Sequence, residues 1–267
     1  MTVLMVNNLS QELKRIVGAF VFYSRIPLPS SWHSGKISHS SRYFSLVGWV
    51  VGAASATVCM LAQMLFSVSL GASPEGPVPI AVLLGIIVAV LLTGALHEEG
   101  VADTCDVLLG GWNTEERLRI MKDSRIGTYG ALGILFLVLF KFFALLQIET
   151  EILPWVWISG HTLSRFLSIS QLRFLDYVQD PAKSKSGSMT EFSGFDLIVN
   201  AAFGLLPLFF IGNQVLVGLS AVVLIWWVTL VHFKKRLGGV TGDCLGATQQ
   251  LSEVVFYLCM GLMLVFN

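Results

Sequence analysis

The sequence predicts an all-α fold: a polytopic membrane helix bundle that forms a single integral membrane domain over residues 1–267. Composition, the placement of apolar segments and the distribution of basic residues predict it. Hydrophobic residues make up 54% of the chain and charged residues 13%, with a mean hydropathy of +0.74. Soluble domains carry about 25% charged residues, so these charges are too few to cover a soluble globule. The net charge of zero argues against nucleic-acid binding, for which a basic excess is typical.

Apolar segments predict about seven transmembrane helices plus an N-terminal interfacial or re-entrant helix, since a crossing helix needs about 20 mostly apolar residues. The candidate spans are Phe44–Leu70, Val78–Leu96, Tyr129–Ile148, Ile152–Leu172, Leu197–Ile211, Val215–Phe233 and Leu251–Phe266. The fifth span is short and contains Pro207. A further apolar stretch, Ile16–Ile26, is too short to cross the membrane and predicts the interfacial or re-entrant helix.

Basic residues fall on one side of the proposed membrane. Of the 17 lysines and arginines, 15 lie in the segments Met1–Tyr43, His97–Thr128, Arg173–Asp196 and Lys234–Gln250. The alternate segments hold none: Gly71–Pro77, Glu149–Glu151 and Gly212–Gln214. The positive-inside rule places the first set in the cytoplasm. This predicts a multi-pass protein of the cytoplasmic (inner) membrane, with a cytoplasmic N-terminus and an external C-terminus.

Four carboxylates occur within nine residues, Glu98 to Asp106, directly after the second span. If that helix continues, Glu99, Asp103 and Asp106 share one helical face. Carboxylates this close repel unless a cation lies among them, and oxygen donors suit Mg²⁺, Ca²⁺ or Mn²⁺ better than zinc. The alternative is a solvated acidic cap. A cation site is favoured because carboxylates at the C-terminal end of a helix oppose its dipole.

Segments that could bind anions lie on the same side. Lys122 and Arg125 precede a glycine turn that leads into the third span, an arrangement that can hold phosphate. The alternative is that these cations only orient the span. Arg165 is an ionisable residue inside a span and therefore a functional candidate. Lys141 is a weaker candidate, because structural pairing or snorkelling would also explain it.

Three stretches carry a resemblance to a known family: Gly94-Ala-Leu-His-Glu-Glu-Gly-Val-Ala-Asp-Thr-Cys-Asp106, Ile120-Met-Lys-Asp-Ser-Arg-Ile-Gly-Thr-Tyr-Gly130 and Gly238-Gly-Val-Thr-Gly-Asp-Cys-Leu-Gly246. With the opening segment Phe22–Pro29, they make the chain resemble the cobalamin synthase family, the adenosylcobinamide-GDP ribazoletransferases, over nearly its whole length. The family usually has aspartate where Glu99 stands and glycine where Val107 stands. A broader likeness is to membrane CDP-alcohol phosphotransferases.

The resemblance implies a Mg²⁺-dependent transfer of the adenosylcobinamide phosphoryl group. Adenosylcobinamide-GDP would react with α-ribazole or its 5′-phosphate, release GMP and form adenosylcobalamin or its 5′-phosphate. The implied partners are these small molecules and the lipid bilayer, and the site would face the cytoplasm. Whether the chain forms a homo-oligomer is left open.

Roles for individual residues follow from this hypothesis. The expected metal ligands are Glu99, Asp103 and Asp106. Asp106, or less favourably His97, would act as the base for the attacking hydroxyl. Phosphate oxygens would be held by Lys122, Arg125 and Arg165. Asp123 and Asp243 would complete a second metal site or orient those cations.

Two other functions are considered. The nearer is another enzyme of the CDP-alcohol phosphotransferase kind, which would release CMP from a CDP-lipid. The more distant is a cation-coupled transporter, in which Arg165, Lys141 and the helix-end acids would line a pathway. A transporter would be favoured by inverted repeats, and the sequence has no evident internal repeat.

Overall fold

The computed structural model describes residues 2–29, 32, 39–70, 76–110, 116–117, 119, 125–178, 191–213 and 215–265. Nine α-helices occur in this part of the chain: α1 Thr2–Tyr23, α2 Phe44–Leu70, α3 Pro79–Thr93, α4 Leu96–Gly110, α5 Thr128–Leu146, α6 Leu153–Ser170, α7 Gly194–Leu205, α8 Val215–Leu237 and α9 Gly242–Val265. The β pairing among these residues is a single bridge between Tyr177 and Val240. The prediction of an all-α fold is confirmed for the described chain.

Three described helical segments are long and apolar enough to cross a membrane: Ser40–Val68, Thr128–Leu146 and Val215–Leu237. The pair α3–α4 adds a fourth if it is counted as one broken span. A helical membrane protein is therefore supported, whereas the predicted count of seven spans is not confirmed. Helices α6 and α9 carry buried polar side chains that lower their hydropathy, and the apolar segment Gly194–Phe210 is shorter than a span.

The second predicted span ends earlier than expected. Helix α3 ends at Thr93, and Gly94 and Ala95 both adopt left-handed backbone angles, with φ of 64° and 57°. Their N–H groups donate to the carbonyls of Leu91 and Val90, which closes the helix. A separate helix, α4, then runs at 88° to α3. The condition that the second span continues as one helix through the acidic segment is therefore not met, and the acids lie on the separate helix α4.

Helix α1 is anchored at two points. Its Glu12 carboxylate accepts hydrogen bonds from Arg42 at 2.6 Å and from the Tyr43 hydroxyl at 2.7 Å. Just beyond the helix, the Arg25 N–H donates to the Leu92 carbonyl at 2.6 Å. The first contact fixes the middle of α1, and the second holds the segment after its C-terminal end beside the α3–α4 bend. The predicted N-terminal helix is present, but it begins at Thr2 and ends at Tyr23, whereas the predicted stretch was Ile16–Ile26. Its interfacial location stays a prediction.

A buried ionic network joins four helices around Glu253 of α9. Its carboxylate lies 2.8 Å from the Lys141 ammonium of α5 and 3.0 Å from His161 Nδ1 of α6. Gln250 accepts from Lys141 at 2.5 Å and donates to Glu98 of α4 at 2.9 Å. Glu253 is 1% exposed and Lys141 5%. Lys141 is therefore paired structurally, which was one of the alternatives for it.

Arg165 extends this network. Its Nη1 donates to the carbonyl of His161 at 2.9 Å and lies 3.1 Å from that ring's Nδ1. The guanidinium carbon also lies 5.5 Å from the centroid of the Phe44 ring, within the range of a cation–π contact. Arg165 is 1% exposed, so solvent does not reach it in this conformation.

We expect Glu253→Gln to lower the free energy of unfolding by about 3–5 kcal/mol, because it leaves Lys141 charged and buried without its counter-ion. The double variant Lys141→Met with Glu253→Gln should recover part of this loss. Thermal denaturation in detergent measures both. Equal melting temperatures for the wild type and Glu253→Gln would contradict the structural role of the network.

Candidate active site

The acidic face lies on α4, a helix separate from the apolar α3. Glu99, Asp103 and Asp106 keep their shared face, with Glu99 exposed and the two aspartates half-buried. Glu98 points inward, is 7% exposed and bonds Gln250. Because α4 begins at Leu96, both glutamates lie in its first turn, where the helix dipole favours them. The argument that the acids oppose a dipole was therefore wrong for Glu98 and Glu99, although the shared face was predicted correctly.

Asp243 joins the acids because α4 and α9 cross in close contact. A Cβ atom on Gly100 would lie 2.7 Å from the Asp243 carbonyl oxygen and 3.2 Å from the Gly246 Cα, so glycine permits this approach. Asp103 consequently faces repulsion from Asp243, Glu99 and Asp106. Burial, and then repulsion from Glu99, raises the pKa of Asp243 to about 6. The four acids form one electrostatic cluster with an excess of negative charge.

Asp106 binds the glycine turn that was expected to hold phosphate. Its two carboxylate oxygens accept from the N–H groups of Gly127 at 2.7 Å and Gly130 at 2.8 Å. These donors lie at the start of α5, whose N-cap residue is Gly127. In this conformation a carboxylate of the same chain accepts from these two N–H groups, so neither is free for a substrate phosphate. Each oxygen keeps a second lone pair for a proton or a cation.

Within the described residues, no group of three His, Cys, Asp or Glu side chains is already gathered closely enough to hold a metal ion. The donor chemistry nevertheless fits Mg²⁺, which takes one or two carboxylates and completes its shell with water and phosphate oxygens. The mutual repulsion of the acids is also the condition that a bound cation would relieve. The chain thus provides an acidic site without a complete ligand cage.

The residues predicted to contact phosphate lie in different surroundings. Arg125 is exposed and lies two residues before Gly127, which Asp106 binds. Lys122 and Asp123 lie outside the described residues. Arg165 is buried and donates to the His161 carbonyl, so a phosphate would reach it only after a rearrangement.

Arg25 is a further cation near this site, and the assignment of roles from sequence missed it. Its side chain is exposed and lies across the α3–α4 bend, where a Cβ on Gly94 would approach its Cγ to 2.8 Å. Its place in the segment Phe22–Pro29, which carries part of the family resemblance, was the available signal. The bend itself was not visible in the hydropathy pattern, so nothing in the sequence placed Arg25 beside α4.

His97 lies on the other side of the first turn of α4. It is 3% exposed, and neither ring nitrogen has a hydrogen-bond partner among the described residues. Its ring stacks on Phe44, with centroids 5.6 Å apart and an interplanar angle of 15°. Together with Asp243 it lines a cleft between α1, α2, α4 and α9.

Helices of membrane-crossing length define a helical membrane protein, and its acidic cluster lies where the starts of α4, α5 and α9 meet. The family model for cobalamin-5-phosphate synthase matches residues 15–261, and the chain belongs to this family. The predicted resemblance is confirmed. The fold has no match among solved structures.

Similar proteins extend over nearly the whole chain. It is 39% identical to the adenosylcobinamide-GDP ribazoletransferase of Vibrio cholerae serotype O1, over 94% of this chain and 95% of that protein. A protein of the same name from Shewanella piezotolerans is 41% identical, over 94% and 95% of the two chains. A third, from Shewanella frigidimarina, is 40% identical over 93% and 94%.

We expect Gly130→Ala to destabilise the protein by about 1–3 kcal/mol, the usual cost of overpacking. The added Cβ would lie 2.9 Å from the Ala102 carbonyl oxygen and would press on the Asp106 carboxylate. A matched control is Gly194→Ala at the start of α7, where a Cβ meets no described atom within 4 Å. The melting temperatures of the two variants are compared. An equal change in both would argue against close packing of Asp106 on Gly130.

Proposed function

We propose that this chain is an adenosylcobinamide-GDP ribazoletransferase, which carries out the last steps of cobalamin nucleotide-loop assembly. It transfers the adenosylcobinamide phosphoryl group from adenosylcobinamide-GDP to α-ribazole or its 5′-phosphate. GMP leaves, and adenosylcobalamin or its 5′-phosphate forms. The observation that carries the proposal is an identity of 39–41% to proteins of this name over nearly the full chain, together with the acidic cluster on α4 and α9.

In this reaction a ribose hydroxyl oxygen forms a bond to the phosphorus that carries the cobinamide, and the bond from that phosphorus to the GMP oxygen breaks. The hydroxyl proton passes to a base, for which Asp106 and His97 are the candidates. Asp106 lies in the acidic cluster with one lone pair on each oxygen unused by Gly127 and Gly130. His97 has two unpartnered ring nitrogens among the described residues but is buried.

Mg²⁺ is the proposed cofactor, with Glu99, Asp103 and Asp106 as its ligands and Asp243 beside them. When bound, it would neutralise diphosphate charge and the developing charge on the leaving oxygen. Glu99 is exposed, whereas the three aspartates are partly buried, so its carboxylate can change rotamer to bind a cation. Exposed Arg125 and Arg25, together with Lys122, are proposed to hold phosphate oxygens.

The proposed topology has seven spans, a cytoplasmic N-terminus and an active site that faces the cytoplasm from the inner membrane. The starts of α4, α5 and α9 meet at the acidic cluster. Helix α8 ends five residues before α9 begins, and its last turn carries Lys234, Lys235 and Arg236. These termini fall in the segments that hold the basic residues. This shared location supports a single cytoplasmic site.

Purified protein incubated with Mg²⁺, adenosylcobinamide-GDP and α-ribazole 5′-phosphate should release GMP. We expect Asp103→Asn to lower turnover by about a hundredfold or more, the scale for removing one charge-stabilising group from an active site, while the protein remains folded. Glu149→Gln, an exposed acid in the α5–α6 connection, is the control and should keep wild-type turnover. Full activity of Asp103→Asn would refute its role, and release of CMP from a CDP-lipid would favour the rival enzyme class.

Chelation with EDTA should abolish turnover, and added Mg²⁺ should restore it. Because Glu99 is a proposed ligand, Glu99→Gln should raise the Mg²⁺ concentration for half-maximal activity by about 10–100-fold. The matched control is Glu151→Gln, another exposed glutamate outside the cluster. Turnover that persists in EDTA would show that the acids serve another purpose.

A further inference from the structure

A cleft of about 430 Å³, including its open mouth, lies between the end of α1 and the start of α9. Phe22 and Tyr23 line it from α1, Phe44 from α2, His97 from α4 and Asp243 from α9. Its other lining residues are apolar side chains and glycines. The cleft therefore opens from the acidic cluster into an aromatic interior.

One side of the cleft is formed by three nearly parallel rings. The Tyr23 and Phe44 centroids are 4.0 Å apart at 27°, and Phe44 and His97 are 5.6 Å apart at 15°. Phe22 meets Tyr23 edge-on, at 4.8 Å and 82°. Phe22 is only partly buried, whereas Tyr23 and Phe44 are 2% and 3% exposed. Of Phe22, Tyr23 and Phe44, Phe22 is therefore the residue whose ring a ligand can reach.

His97 supplies hydrogen-bonding capacity within this apolar lining. Its ring is 3% exposed, and neither nitrogen has a partner among the described residues. A buried imidazole without partners loses its bonds to water. A ligand with a ring nitrogen would restore one of those bonds, and Asp243 would face the polar end of the same ligand.

We propose that this cleft binds the planar aromatic base of a substrate, with His97 bonded to a ring nitrogen and the Phe22 ring against the base. The proposal rests on the proposed function, whose substrates carry three such bases: the benzimidazole of α-ribazole, the guanine of the GDP group and the adenine of the adenosyl group. The benzimidazole fits better, because guanine and adenine present several polar edge atoms. The described lining offers the side chains of His97 and Asp243 as polar partners, besides a Tyr23 hydroxyl that already donates to Ser41.

This assignment orients the acceptor substrate, and because it uses His97 to bind the ring nitrogen, it leaves Asp106 as the candidate base. With its base in the cleft, the attached ribose points to the mouth, where Asp243 borders the acids of α4. The hydroxyl that attacks phosphorus would then lie beside the proposed metal ligands. The end of α1, which the hydrogen bond from the Arg25 N–H to Leu92 holds in place, becomes a substrate-binding element.

The test is Phe22→Leu, which keeps apolar volume but removes the ring. We expect the KM for α-ribazole to rise about tenfold, because base–aromatic stacking contributes at this scale, with kcat and the KM for adenosylcobinamide-GDP nearly unchanged. The matched control is Phe20→Leu on the same helix, since Phe20 packs against the same hydrophobic cluster but does not line the cleft. It should leave both KM values unchanged.

Equilibrium binding of α-ribazole and of GMP to the protein in nanodiscs separates this proposal from the proposed function. Weaker binding of α-ribazole alone by Phe22→Leu supports the assignment, even if the wild type releases no GMP in the turnover assay. Weaker binding of GMP alone overturns it in favour of guanine. Unchanged binding of both, with GMP release by the wild type intact, overturns the cleft as the benzimidazole site and leaves the proposed function standing.

Discussion

The arrangement of the helices depends on the burial of Glu253 beside the Lys141 ammonium and the His161 ring. A carboxylate in a low-dielectric interior is costly unless it is paired and hydrogen-bonded, and Glu253 meets this requirement through Lys141 and His161. Each partner comes from a different helix, so the pairing sets α9 against α5 and α6. Gln250, one turn away, extends the same constraint to Glu98 on α4. The crossing that brings Asp243 to the α4 acids follows from this position of α9.

The bend at Gly94 gives the site its geometry. A straight continuation of α3 would carry the acids along the axis of the apolar helix. The left-handed residues Gly94 and Ala95 instead turn α4 through 88°, so that Glu98 reaches the buried network while Glu99 faces solvent. Two adjacent glutamates thereby serve different purposes, one in the interior and one in the site.

Close backbone approach explains why glycines accompany the acids. Gly100 lets α4 touch α9 beside Asp243, and Gly130 lets Asp106 lie against the start of α5. Asp106 then provides the negative charge that the helix N-terminus favours. The acids of one helix are in this way fixed relative to two others, while Glu99 is left at the open end to respond to a ligand.

Composition, hydropathy and basic asymmetry predicted a helical membrane protein from sequence alone, because these are local or summed properties of the chain. The family motifs also predicted that Glu99, Asp103 and Asp243 belong to one site. Only the tertiary structure decided that Lys141 is a structural partner and that Asp106 occupies the glycine turn. Such outcomes depend on contacts between distant segments, such as Lys141 with Gln250, 109 residues apart. Hydropathy and spacing carry no information about which buried charge meets which partner.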